Sequence, residues 1–186
     1  KWDCDFAKVS GLIEKEHSRL PLEVLLTKKG RKTKVNYLEQ KKLSAYIGHL
    51  NVILFAPEDL ALVKGAPSVR RRFLDMELGQ ISPVYLYELV RFNQLLKQRN
   101  AYLKQEKIDP VLLSVLTDEF VKSGTEVIFQ RLLFIEKLEG FMAKIQEEIT
   151  SGKEAVTLSY DSYLPVKEKN KEVISGLFKE ALEEKK

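Results

Sequence analysis

Residues 6–14 and 20–27 carry apolar side chains at strand-like spacing and are joined by a polar stretch, Lys15 to Arg19, which predicts two strands and a turn. Lys28–Lys34 predicts a second turn, flanked by bases, leading to a short strand at Lys34–Tyr37. A meander of three antiparallel strands results. Residues 41–48 predict a brief helix stopped by Gly48. His49–Phe55 is then almost unbroken apolar sequence, the pattern of a strand covered on both faces.

From Pro57 the punctuation becomes helical. Proline suits the first turn of a helix, and Glu58 and Asp59 suit its positive N-terminal end. Gly65 predicts a left-handed stop. A second helix opens at Pro67 and runs to about Gly79. Ser82-Pro83 supplies an N-cap and first-turn proline for a third, reaching about Gln105. Asp109-Pro110 repeats that signal for the longest helix, which extends to about Thr150. Residues 155–160 predict a further strand, and 167–186 a charged helix with Ile174, Leu177, Phe178 and Ala181 on its apolar face.

In the longest helix Val121, Ile128, Ile135, Met142 and Ile149 recur every seven residues, with Leu138 and Ile145 between them and Arg131 breaking the pattern. Leu89, Asn93, Leu96, Asn100 and Leu103 alternate spacings of four and three in the preceding helix. The two seams predict an antiparallel helical hairpin with coiled-coil-like packing and a tip near Lys104–Asp109. Residues 67–105 and 110–150 have similar lengths, so Ser82-Pro83 reads as a jog in one arm. The fold class expected is α+β: a small, mostly antiparallel sheet with an inserted helical hairpin. Its divisions are a β-rich part at 1–56, a helical lid or arm at 57–152, and a return strand and helix at 153–186.

Composition narrows the chemistry. At 186 residues and 44% hydrophobic, the chain can bury a core. No apolar run approaches the roughly 20 residues needed to span a bilayer, and Lys1-Trp2-Asp3-Cys4-Asp5 lacks the apolar region of a signal peptide. One cysteine excludes an internal disulfide and fits a reducing cytoplasm. His17 and His49 are isolated, so no metal-ligand spacing occurs. The net charge of +4 conceals an asymmetry. Residues 1–105 hold 19 bases against 11 acids, and residues 106–186 hold 12 against 16. The first half therefore suits an anionic partner, nucleic acid above all.

Residues 57–75 carry the most specific signal: P-E-D-L-x-x-V-x-G-x-P-x-x-R-R-x-F-L-D. This order resembles the signature segment of the RecF family of SMC/ABC-type ATPases, and the Lys97-Gln98-Arg99-Asn100 run adds to the resemblance. A helical arm inserted into a nucleotide-binding head is the plan of such proteins. The phosphate-cradling string G-x-x-x-x-G-K-[ST] does not occur in the chain, nor do an apolar strand ending in paired acids or a Leu-Ser-Gly-Gly signature. In the family the first precedes the region that these 186 residues resemble, and the other two follow it. The resemblance thus implies a middle fragment that neither binds ATP tightly nor hydrolyses it and holds no cofactor. ATP and Mg²⁺ belong to the full-length parent, expected to be a weak DNA-dependent ATPase.

Site candidates follow from charge and from the resemblance. The Ala56-Pro57-Glu58-Asp59 turn occupies the place where such heads sense the γ-phosphate and Mg²⁺, making Glu58 and Asp59 nucleotide-sensing candidates, although simple complementation of the helix dipole also explains these acids. Ala56 stands where the family carries a small hydroxyl residue. Lys28, Lys29, Arg31, Lys32 and Lys34, with Lys41 and Lys42 nearby, form the densest basic stretch and the best footprint for a DNA backbone. Arg70, Arg71 and Arg72, with Lys64, are candidates for phosphate, dimer or partner contacts; the three arginines fan over about 200° and cannot all face one partner. Asp75 lies within reach of an i,i+3 or i,i+4 ion pair with them. Tyr85, Tyr87, Phe92 and Tyr102 read as core.

For the whole protein the resemblance implies ATP-dependent homodimerisation on DNA at duplex next to a single-stranded gap. Action with RecR and RecO then promotes RecA loading in repair, recombination and the SOS response. A stand-alone helical-hairpin adaptor would explain the heptads without the arginine-bearing signature. A general basic DNA-binding module would explain the charge alone.

Overall fold

The computed structural model describes residues 4–184. The expected helix 167–186 therefore ends partly outside the described residues, as do Lys1-Trp2-Asp3. The fold is α+β. Four antiparallel strands in sequential order, β1 (Phe6–Lys15), β2 (Ser18–Thr27), β3 (Gly30–Val35) and β4 (Leu38–Gln40), are followed by helices. The sheet has one more strand than the sequence predicts, because the basic turn is shorter. Only Lys28-Lys29 turn, and β3 takes up Arg31, Lys32 and Lys34. Asn36 and Tyr37, at φ 49° and 67°, close the next hairpin in the way a two-residue primed turn requires.

Three further expectations give way. The 41–48 helix is a single 3₁₀ turn at Leu43–Ala45. The apolar runs 49–55 and 155–160 form no strand. A strand needs a ladder partner for its backbone groups, and no described segment pairs with either run. Ile53, Leu54 and Phe55 consequently stand 92%, 80% and 86% exposed.

The helices follow their caps. A 3₁₀ turn at Pro57–Leu60 runs into the short α1 (Ala61–Lys64), then come α2 (Pro67–Ile81), α3 (Pro83–Tyr102), α4 (Pro110–Thr150) and α5 (Lys171–Glu183). Ser82 Oγ accepts from Tyr85 N at 3.1 Å, Asp109 Oδ1 from Val111 N at 2.8 Å, and Asn170 Oδ1 from Glu172 N at 2.8 Å. Ser151, at φ 55°, and Gly152, at φ 72°, end α4 in the left-handed region, with Gly152 N donating to Glu147 O. Gly65 behaves otherwise. Its φ of −87° and ψ of −179° are extended, so it is no left-handed stop. Glycine is required there because a Cβ would lie 2.5 Å from Ala61 O.

α3 and α4 form the antiparallel hairpin, with its tip at 103–109. The seam is rotated from the one expected. Tyr85, Phe92 and Arg99 point inward, whereas Asn93 and Asn100 are exposed. Burying large rings outweighs burying amides that would need partners. Leu78, Tyr85 and Val127 centre the core, with Leu89, Phe92 and Phe134 against them. Nor does α2 continue the arm. It touches α4 only briefly, and at 41 residues α4 outruns the 20-residue α3, leaving Ile145 and Ile149 at 56% and 74% exposure.

α5 packs on α4. Ile174 is fully buried, and Phe178 joins Phe92 and Phe120 in an aromatic trio with centroids 4.7, 5.3 and 6.5 Å apart. Gly124 makes room for it: a Cβ there would strike the Phe178 ring and lie 2.9 Å from Phe92 Cε2. No helix among the described residues is long and apolar enough to cross a membrane.

Candidate functional site

The signature segment is a braced turn. The Asp59 carboxylate accepts from Ala56 N at 2.7 Å, so it does half the work of a capping box while Ala56 supplies no side-chain cap. Glu58 is exposed with no hydrogen-bond or ion-pair partner among the described residues. Arg70 reaches back from α2, donating through Nη1 to Gly65 O at 3.0 Å and Leu62 O at 3.2 Å. Those carbonyls end α1, where helical acceptors are left over. Arg70 thus ties α1 to α2, leaving Arg71 and Arg72 exposed and unpartnered among the described residues, like Lys64.

Arg71 and Arg72 face a cleft of about 800 Å³. Leu22 from β2, with Ile47, Leu50 and Val52, lines one side, and Ser68, Asp75 and Met76 from α2 line the other. Gln80 fastens the edge, accepting from Val52 N at 2.8 Å and donating to Val52 O at 3.3 Å.

Asp75 does not pair with the arginines beside it in sequence. Its Oδ1 accepts from Arg131 Nη2 and from Tyr85 Oη, both at 2.5 Å. Arg131 Nε also donates to Tyr85 Oη at 3.0 Å, and Nη1 to Tyr160 Oη at 3.3 Å. Four separate segments meet in this cluster. Burial chiefly pushes the Tyr85 phenol well above its ordinary value; the Arg131 charge opposes that shift, and the bond to Asp75 reinforces it. Burial works against the Arg131 charge, but the oxygens of Tyr85, Tyr160 and Asp75 outweigh it and raise its pKa. The residue that breaks the heptad is therefore the one that organises the hairpin root. Sequence reading missed its role, although an arginine at a seam position signals the need for a buried acceptor.

The basic stretch disperses. Lys28 contacts Asp5 at 2.9 Å, Lys32 contacts Glu39 at 3.2 Å, and Lys34 shares Glu23 with Lys8 at 3.8 and 2.8 Å. The hydrogen bond from Lys8 chiefly holds Glu23 below its ordinary value. Strand alternation puts Lys32 and Lys34 on one face of β3 and Arg31 on the other. Lys29 and Arg31 keep their side chains free of ion pairs among the described residues. The structure thus gathers Arg71 and Arg72 at one cleft and spreads the sheet bases over two faces. Of the four aromatics read as core, Tyr85 and Phe92 are packed inside, whereas Tyr87 is 60% exposed and the Tyr102 hydroxyl accepts from Asp109 N at the tip.

Comparison with known proteins agrees with the signature. No protein-family model matches the chain. It is 53% identical over 169 residues to the DNA replication and repair protein RecF of Enterococcus faecalis, covering 89% of this chain and 45% of that protein. It is 52% identical over 183 residues to RecF of Streptococcus pneumoniae, covering 98% of this chain and 50% of that one. The chain fits a fragment of RecF. It spans about half the length of the RecF relatives it matches. Two solved structures of the recombination mediator protein RecF in the RecFOR pathway, RecF-ATPrS and RecF-ATP, superpose with TM-scores of 0.89 and 0.91 at 28% identity. They cover 99% and 98% of this chain, and the chain covers 51% and 50% of theirs.

Proposed function

We propose that this chain is the lid, or arm, with part of the adjoining ATPase lobe, of an ATP-dependent DNA-binding recombination mediator. The mediator acts in the cytoplasm at single-strand gaps, with RecR and RecO, to promote RecA loading in DNA repair and the SOS response. What supports this reading is the RecF likeness over nearly the whole chain, signature segment included. In this reading the parent is an ATP-dependent homodimer and a weak DNA-dependent ATPase.

Nucleotide chemistry falls to segments that this chain does not span. Among the described residues no three metal-ligating side chains cluster; Mg²⁺ takes one or two carboxylates together with substrate phosphates and water, so a carboxylate such as Glu58 would meet it only alongside a bound nucleotide. Glu58, without a side-chain partner among the described residues, is better placed than Asp59 to approach a nucleotide, because Asp59 is engaged with Ala56 N. On the DNA side, Lys29, Arg31, Lys64, Arg71 and Arg72 are the candidate bases whose side chains meet no carboxylate or carbonyl among the described residues, whereas Lys28, Lys32, Lys34 and Arg70 are engaged.

The test is the affinity of the 186-residue chain for gapped duplex DNA and for RecR at two salt concentrations. DNA binding that weakens with salt is expected, since phosphate contacts release counterions. Salt-insensitive binding to protein alone would replace this reading with that of an adaptor.

A further inference from the structure

The hairpin root is held by the apolar contact of Leu78, Tyr85 and Val127 and by one polar cluster that bridges the same three helices. α2 and α4 touch only briefly, whereas α3 and α4 pack along their length. α2 and α3 are separated by a single extended residue, Ser82, at φ −131° and ψ 101°. One non-helical residue between two helices leaves their mutual angle to tertiary contacts. The return segment 153–166 is irregular and meets α4 through Tyr160 on Arg131 and through Leu158 N, which donates to Glu139 Oε1 at 3.0 Å.

We propose that the Asp75–Tyr85–Arg131–Tyr160 cluster is a positioning joint that sets the angle of the α3–α4 hairpin relative to α2 and the turn α2 braces. Asp75 sits on α2, Tyr85 on α3 and Arg131 on α4, so one carboxylate oxygen restrains all three helices. Asp75 Oδ1 accepts from the two other helices at once, and Tyr85 Oη closes the triangle with Arg131 Nε at 3.0 Å. A planar guanidinium with donors directed at three oxygens fixes orientation as well as distance; an ammonium would fix distance only. At the other end of α2, Arg70 clamps the Leu62 and Gly65 carbonyls. The signature turn, α2 and the joint therefore form one continuous frame. Leverage makes the angle consequential. From Arg131 to the first turn of α4 is about 30 Å at ~1.5 Å per residue, so a change of about 10° moves the tip by about 5 Å.

This joint is a property of the folded chain and holds whether or not the chain binds DNA. Its test needs no ligand. With Cys4 replaced by serine, spin labels at Val63 and Gln105, both exposed, report the distance from the turn to the tip. The parent chain should give one narrow distance distribution. Arg131→Lys and Asp75→Asn should broaden it or shift it by about 5 Å, the displacement that the length of the lever gives. Tyr160→Phe, the mildest change, should broaden it less and stay folded even if the others do not. Unchanged distributions in folded variants would overturn the joint. So would loss of melting temperature without broadening, because that is the signature of a cluster that only stabilises.

Discussion

Gly124 offers the sharpest test of the packing. It lies in the middle of α4, where replacing glycine with alanine ordinarily stabilises a helix by about 1 kcal/mol. Here a Cβ would strike the Phe178 ring and lie 2.9 Å from Phe92 Cε2 and 3.1 Å from Phe178 Cζ. Neither ring can swing freely, because each also stacks on Phe120 or meets it edge-on. Overpacking of this kind costs about 1–3 kcal/mol. Gly124→Ala should therefore be neutral to destabilising by about 2 kcal/mol, the difference of those two effects. Gly140 is the internal control: it belongs to the same helix and a Cβ there meets nothing within 4 Å. Gly140→Ala should raise stability by about 1 kcal/mol. At roughly 2–4 °C per kcal/mol for a chain of this size, thermal melts of the two variants should diverge by several degrees. Equal shifts in the same direction would refute the placement of α5 against α4.

Four other outcomes are expected. Arg70→Ala should cost about 1 kcal/mol and speed amide exchange at 61–65, since the α1 carbonyls lose a charged donor; unchanged exchange there would remove the clamp. Lys171 and Glu126 tie α5 to α4 at 2.5 Å. Burial raises the Glu126 pKa, but the hydrogen bonds from Lys171 and Gln130 outweigh it and leave it below the ordinary 4.5. A depressed carboxylate stabilises fully above its unfolded value and loses that contribution as pH falls through the folded one. Melting of the parent should thus drop on acidification below 4.5, and drop less in Glu126→Gln; parallel curves would contradict the pairing. In DNA binding, Arg71→Ala and Arg72→Ala should each reduce the log–log salt slope by about 1, whereas Lys34→Ala, whose charge Glu23 already answers, should barely change it. ATP turnover by the 186-residue chain should not exceed background, and turnover clearly above it would place catalytic residues within these segments.

The charge pattern shows why a dense basic stretch is a poor map of a binding face. Seven bases between Lys28 and Lys42 read as one patch in sequence. Strand alternation sends Arg31 to one face and Lys32 and Lys34 to the other, and cross-strand carboxylates from Glu23 and Glu39 answer the latter pair. Exposed pairs of this kind add about 0–1 kcal/mol each to stability, so their main effect is on the field that a polyanion would meet.

Local chemistry was enough to place the helix starts. Ser82, Asp109 and the prolines at 57, 67, 83 and 110 mark them because capping and proline geometry depend on residues a few positions apart. The hairpin and its tip follow from the same signals, as does the signature order at 57–75. Sequence could not choose the seam, since period alone does not say whether Asn93 or Phe92 faces α4; that depended on which ring found Phe120 and Phe178 across the interface. It could not show that 49–55 and 155–160 would lack strand partners, because a ladder is a contact between distant segments. Nor could it pair Asp75 with Arg131, which lies 56 positions away, over the arginines three to five residues before it. Buried charge seeks the acceptor that the folded chain brings to it, and only the folded chain determines which one that is.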